Sequence, residues 1–212
     1  MNSRDLILDR LRRARQPFTD LPPIADWRPV TLLPDQTLPA LRARFIREAQ
    51  QVKCHVHTPT SAEEALDVTL ELIGTQAQIL AWDADQIGLE GLSAALDRAN
   101  IRTAPPNSDG VTVGVPGVSA ALAATGSLVL MSGPGRPRTA SLLPDRHIAL
   151  VPQDRLLPDL EAWFAQQRRD GLTDFRARSN TVIITGPSKT ADIAQELILG
   201  AHGPREVHIV LW

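Results

Sequence analysis

From Leu38 to the C-terminus, short β-branched runs alternate with segments whose apolar residues recur at helical spacing, and this alternation leaves few folds open to the chain. Strands are predicted at 55–57, 77–82, 101–104, 111–115, 127–131, 147–151, 181–185 and 207–212. Leu38, Leu41, Phe45, Ile46, Ala49 and Val52 mark a helix that ends near Cys54. Ser61 with Glu64 three residues on forms a capping-box pattern, opening a helix that Gly74 closes. Leu89, Leu92 and Leu96 mark a helix stopped at Asn100, residues 118–124 read as a small-residue helix, and Leu160, Trp163 and Phe164 lie on an amphipathic helix over 156–167. Strand, helix and strand in succession imply right-handed crossovers and a mostly parallel sheet covered on both faces. Of these runs, 181–185 reads as a strand buried on both faces, and Gly186, Pro187 and Ser188 as a tight turn into a further helix with Asp192 in its first turns.

A chain of 212 residues with 43% hydrophobic residues supports one substantial core, so one α/β domain with an N-terminal extension is expected, divided as 1–57 and 58–212. Within the extension, residues 3–15 form an amphipathic helix with Leu6, Ile7 and Leu11 on one side and arginines around the other. Pro17, Pro22, Pro23, Pro29, Pro34 and Pro39 then impose an extended arm, with Trp27 as its anchor. A net charge of −2 argues against a nucleic-acid binder. The absence of a secretory apolar run and of eighteen consecutive apolar residues predicts a cytoplasmic protein without a membrane span. Cys54, the single cysteine, can hold neither a disulfide within the chain nor, by itself, an iron–sulfur cluster or structural zinc.

Three polar turns interrupt the apolar scaffold: Thr125-Gly126-Ser127, the long loop with Arg136, Arg138 and Ser141, and Gly186-Pro187-Ser188-Lys189-Thr190. Their hydroxyls, backbone N–H groups and cations suit a small carboxylate or phosphate, with Arg138 the candidate for bidentate contact. A helix opening after Gly186 would offer free N–H groups to the anion, beyond the C-terminal end of a strand where open α/β sheets bind ligands. The plainer alternative is that these are strand-end turns whose hydroxyls cap helices. His147 and His202 are further hydrogen-bond donors to an anion, or structural histidines. Ser188 as a nucleophile would need a base, and His202, at the far end of the predicted helix, lies about 21 Å away by helix rise. Asp192 is a candidate general base, or a first-turn carboxylate that satisfies the helix dipole. His55 and His57 project from one side of a strand, but no third metal ligand is evident, and no metal site is assigned. Phosphate-loop, dinucleotide, nucleophile-elbow and zincin signatures are missing.

Four blocks, Ala124-Thr-Gly-Ser-Leu-Val-Leu130, Arg138-x-x-Ser-Leu-Leu-Pro-x-x-His-Ile148, Gly186-Pro-Ser-Lys-Thr-Ala-Asp-Ile193 and Gly200-Ala-His-Gly-Pro204, resemble in content and order the lactate utilization protein C family, built on the LUD domain. The resemblance covers residues 58–212, with a looser match in the arm. It implies a three-layer α/β/α fold of the NagB/RpiA/CoA transferase-like kind, with its site at the strand ends. It also implies a role in oxidising L-lactate to pyruvate beside partner proteins that carry the iron–sulfur clusters, with no cofactor covalently bound to this chain. Ala124 departs from the pattern, because the family usually has an acidic residue immediately before the Thr-Gly pair. Other readings stand beside this one: an enzyme of the same fold acting on a sugar phosphate, an acyl-CoA or a folate, or a scaffold or regulatory module, alone or as a homo-oligomer.

Overall fold

The protein, as a computed structural model, is described over residues 2–14, 33–191 and 197–212. The chain divides into two units, Met1–Val30 and Thr31–Trp212. The first contributes helix α1 (Ser3–Ala14), on which Leu6, Ile7 and Leu11 are exposed. Most of the proline arm, with Trp27, lies outside the described residues.

The second unit begins with α2 (Leu38–Gln51), which starts on a proline in its first turn and buries Leu41, Phe45 and Ala49 at four-residue spacing. Strand β1 (His55–His57) follows, then α3 (Ala62–Ile73), whose Ser61 hydroxyl accepts the Glu64 N–H as the capping pattern requires. The Glu64 carboxylate turns back one residue further than predicted, onto the Thr60 N–H and hydroxyl. The chain continues through β2 (Gln78–Ala81), α4 (Ala84–Ile87), α5 (Leu92–Arg98), β3 (Arg102–Thr103) and β4 (Val113–Val115). After further elements described below come β7 (Arg146–Val151) and finally β12 (Glu206–Leu211). These strands form a six-stranded sheet in the order β1-β12-β7-β4-β2-β3, parallel at every pairing, which is the α/β architecture the alternation predicts. His147 to Val151 are all buried, so the sheet is covered on both faces there. Residue 57, where the extension was expected to end, closes β1 and so belongs to an edge strand of this sheet.

A second sheet lies outside the expected pattern. It comprises β5 (Ala120–Leu122), β6 (Ser127–Ser132), β8 (Leu156–Leu157) and β9 (Asn180–Ile184), in the order β8-β5-β6-β9. Residues 118–124 therefore do not form a helix. Their small residues alternate between two cores instead, with Ala121, Ala123, Leu128 and Leu130 facing the main core and Ala120, Leu122, Val129 and Met131 facing Trp163. Burial on both faces overrides the helix preference of alanine. Trp163 comes from α7 (Leu160–Arg169), which Asp159 caps through the Ala162 N–H and α8 (Thr173–Ala177) follows. The predicted helix over 156–167 thus begins only at Leu160, after strand β8. Strand β9 is the edge of this sheet and leaves Ile183 45% exposed, so 181–185 is not buried on both faces.

The helix expected after Gly186 is absent as well. In its place β10 (Lys189–Ala191) pairs antiparallel with β11 (Leu197–Leu199), Thr190 opposite Ile198. The chain is pinned on itself at Ser188, whose N–H donates to Pro204 O at 2.8 Å while its carbonyl accepts the Gly200 N–H at 2.9 Å. A helix would hold those ends roughly 20 Å apart. Asp192 lies outside the described residues.

The loop from Gly133 to Asp145 crosses one face of the main sheet. Near the C-terminal ends of the strands, Gly135 O accepts the Asp83 N–H at 2.8 Å and the Arg136 guanidinium lies 5.4 Å from the Trp82 ring centroid. Its short helix α6 (Thr139–Leu142) then sits on β4, where a Cβ at Gly114 would overlap the Ala140 carbonyl. His147 is the register partner of Gly114 and points to the same face. It is fully buried, and neither ring nitrogen has a hydrogen-bond partner among the described residues. Burial pushes its pKa down to about 4. Among the described residues no helix is long and apolar enough to cross a membrane.

Two substitutions test this packing. Gly114→Ala has no room under α6 and is expected to destabilise the protein by about 2–3 kcal/mol, read as a fall in the thermal midpoint. His147→Leu removes an unpaired buried imidazole and is expected to raise stability by about 1–2 kcal/mol at neutral pH. Because the folded pKa is lowered, the unfolded chain binds more protons, and stability falls as pH drops from the ordinary histidine value towards 4. Denaturant melts across that window should show a shallower fall in His147→Leu.

Candidate functional site

The Thr125-Gly126 turn and the Thr185-Gly186 turn end neighbouring elements of the second sheet, and both press on the last turn of α2. Gly126 has φ +65° and closes the β5–β6 hairpin by donating its N–H to Leu122 O at 2.9 Å. A Cβ there would fall on the backbone of Ala49. Gly186 has φ +83°, and a Cβ there would overlap the Val52 carbonyl oxygen. Only glycine allows both the left-handed conformation and the approach of backbone to backbone. With the turns so placed, Ser127 Oγ lies 2.7 Å from Thr125 Oγ1 and 2.8 Å from Thr185 Oγ1. This gives a row of three hydroxyls with a buried centre and exposed ends.

Lys189 donates from Nζ to Val52 O at 3.0 Å, placing its charge at the C-terminal end of α2, where the helix dipole favours a cation. Cys54 lies beneath the same turn. Burial pushes its thiol up to about 11, against the smaller opposing pull of Lys189 and the Gly186 N–H, so it is no thiolate nucleophile at neutral pH.

Ser188 accepts the His202 N–H on Oγ at 3.3 Å. The hairpin thus makes neighbours of two residues that a helix would have kept apart. The contact is through the His202 backbone and gives Ser188 no base. Gly203 completes this corner, where an added Cβ would lie 3.5 Å from Ser188 Cβ and 3.8 Å from the Leu142 carbonyl at the end of α6.

Three of the four blocks therefore lie close together. The first reaches Thr185, the residue just before the third, through Ser127, and the third joins the fourth through Ser188. The second reaches this corner only at Leu142. Ser141 is buried and donates its hydroxyl to Arg138 O at 3.1 Å, so that group is spent within α6. Arg138 is exposed with no side-chain partner among the described residues, Thr190 lies in β10, and His147 is sealed under α6. Ala124 is buried and donates its N–H to Pro158 O at 2.8 Å.

The cluster is not beyond the C-terminal strand ends. Val52 and Cys54 precede β1, and Pro204 precedes β12, so it gathers at the N-terminal edge of the main sheet. The reason is that β9, which leads into Gly186, pairs antiparallel with β6 and is no strand of the parallel sheet. Thr185 is a member that sequence reasoning passes over, although Thr185-Gly186 repeats the Thr125-Gly126 pair. The turn N–H groups are bonded within the chain, which leaves the exposed Thr125 and Thr185 hydroxyls as the cluster's groups for a polar or anionic ligand.

The LUD domain family model matches residues 42–212. A lactate utilization protein C from Macrococcus caseolyticus is 30% identical over 185 residues, covering 80% of this chain and 79% of that protein. Another of the same name from Halalkalibacterium halodurans is 29% identical over 158 residues, 70% of this chain and 68% of that protein. Among solved structures, a DUF162 family protein from Deinococcus radiodurans superposes with a TM-score of 0.61 at 17% identity, covering 84% of this chain and 99% of the other. That likeness is one of fold. From the family model and the Macrococcus relative together, the chain belongs to the LUD domain family and to the lactate utilization protein C family.

Proposed function

We propose that this chain is a subunit of a system that oxidises L-lactate to pyruvate, and that the cluster at the end of α2 binds a small carboxylate or an anionic cofactor. The observation that carries the binding site is the gathering of three separated segments, 124–130, 185–193 and 200–204, by Ser127–Thr185 at 2.8 Å and by the bonds at Ser188. Involvement in lactate utilization is supported by the names of the relatives. Oxidation of lactate to pyruvate releases two electrons and two protons. A single buried cysteine cannot ligate a cluster to take those electrons, so the reading assigns the iron–sulfur centres to partner subunits. Within the cluster the turn N–H groups are bonded inside the chain, so the exposed Thr125 and Thr185 hydroxyls hold the anion's oxygens in this reading, and Arg138 supplies the cation that Lys189, bound to Val52, does not.

A strain deleted for this protein and lacking a second copy should fail to grow on lactate, with growth restored by the wild-type chain and not by Arg138→Ala. Normal growth of the deletion strain overturns the reading. In thermal-shift titrations with lactate, pyruvate and other small anions, a ligand at one hundred times its Kd should stabilise the wild type by about 2.7 kcal/mol. Arg138→Ala should abolish that shift and leave the ligand-free midpoint in place, because its exposed side chain makes no hydrogen bond or ion pair among the described residues. Ser188→Ala should lower the ligand-free midpoint as well, since it removes the acceptor for the His202 N–H.

A further inference from the structure

His55 and His57 on β1 gain a third imidazole that their spacing in the sequence does not reveal. Parallel pairing sets His55 opposite His208 of β12, so all three rings lie on one face. His208 stacks on His55 at 4.8 Å and on His57 at 5.4 Å between centroids, with interplanar angles of 20° and 18°. Near-parallel rings form a stack and do not converge as ligands around an ion, and no group of three metal-ligating residues is found among the described residues.

The contact has an internal logic of protons. His208 Nε2 lies 3.4 Å from Glu206 Oε2, and Glu206 accepts Arg146 Nε–H at 2.8 Å. With the carboxylate as acceptor, His208 carries its proton on Nε2 and leaves Nδ1 bare. His57 Nε2, at 3.1 Å, donates to that bare nitrogen. Protonation of both His57 and His208 sets N–H against N–H between two charged rings, beside a third, whereas a single added proton is still shared once His57 moves its own to Nδ1.

This chain of contacts fastens an edge strand. β1 has three residues and, among the described residues, β12 as its only neighbour in the sheet, and two residues separate it from Val52 and three from Gln51, the end of α2. That end carries the turns at Gly126 and Gly186.

We propose that the His55–His57–His208 stack is an acid-sensitive clasp: protonation parts β1 from β12 and loosens the end of α2 on which the candidate site is built, while the central strands stay paired.

The charged groups acting on the rings are Glu206 of β12, Arg146 of β7 and Glu71 of α3. Glu206 and Glu71 favour the charged rings, and Arg146 and the neighbouring imidazoles oppose them. For both rings burial is the largest effect, lowering His57 and pushing His208 down to about 4. The sign follows: with the strands parted, His57 and His208 take up protons at the ordinary histidine value, and with them docked only at lower pH, so opening is favoured as pH falls below that value.

Amide hydrogen exchange followed by mass spectrometry at pH 7.5 and 5, corrected for intrinsic rates, tests this on the full chain. Opening of residues 38–57 is expected to rise roughly tenfold or more relative to β7 over this range. The double variant His57→Gln/His208→Gln should lose that rise. Where the double variant does not fold, the single variant His208→Gln replaces it and should flatten the response. An equal loss of protection in β7, which would indicate global unfolding through groups such as His147, overturns the proposal. So does a pH-independent ratio, or a response unchanged in the variants.

Discussion

The approach of two glycine turns to one helix end is the constraint on which much of the molecule depends. Gly126 and Gly186 belong to the second sheet and the helix end to α2, which leads into the parallel sheet, so their contact sets how the two sheets meet. A side chain at either glycine would force the turns outward. Thr125, Ser127 and Thr185 could then no longer form one row, because Ser127 reaches both partners only while the β5–β6 turn and the end of β9 stay level. Lys189 reinforces the same spot by supplying a donor to a carbonyl that the helix itself leaves unpaired.

The parallel sheet was legible because four of its strands, β2, β4, β7 and β12, are short apolar runs followed by a helical period or a turn, and neither signal depends on distant residues. Ser61 and Gly74 bound α3 as their residue types require. The second sheet was not legible. Ala120 to Ala124 have the composition of a helix, and only their place between the main core and Trp163 makes a strand the better solution. The stretch after Gly186 misled for a related reason: proline, serine and an acidic residue form a credible helix start, while the bonds from Ser188 to Pro204 and Gly200 are invisible until the chain has turned back.

For the candidate site, sequence reasoning identified the turns more reliably than their geometry. Thr125, Ser127, Gly186 and Ser188 do come together. His147 does not join them, because the register that places it opposite Gly114 puts it under α6. The edge of the sheet was also misjudged. The rule that ligands sit beyond the C-terminal ends of parallel strands applies to strands of that sheet, and β9 belongs to the other. The histidine stack was hidden because His55 and His208 stand 153 positions apart and meet only through the closing strand.

The alternation of small residues along β5 reaches beyond that strand. Ala121 and Ala123 face one core and Ala120 the other, so the middle layer there is little thicker than its own backbone. β5 therefore acts as a thin spacer between the main core and α7. Any lineage that enlarges one of these alanines must shift a neighbouring layer or shrink a residue facing it, which ties change on β5 to change at positions far away in the chain.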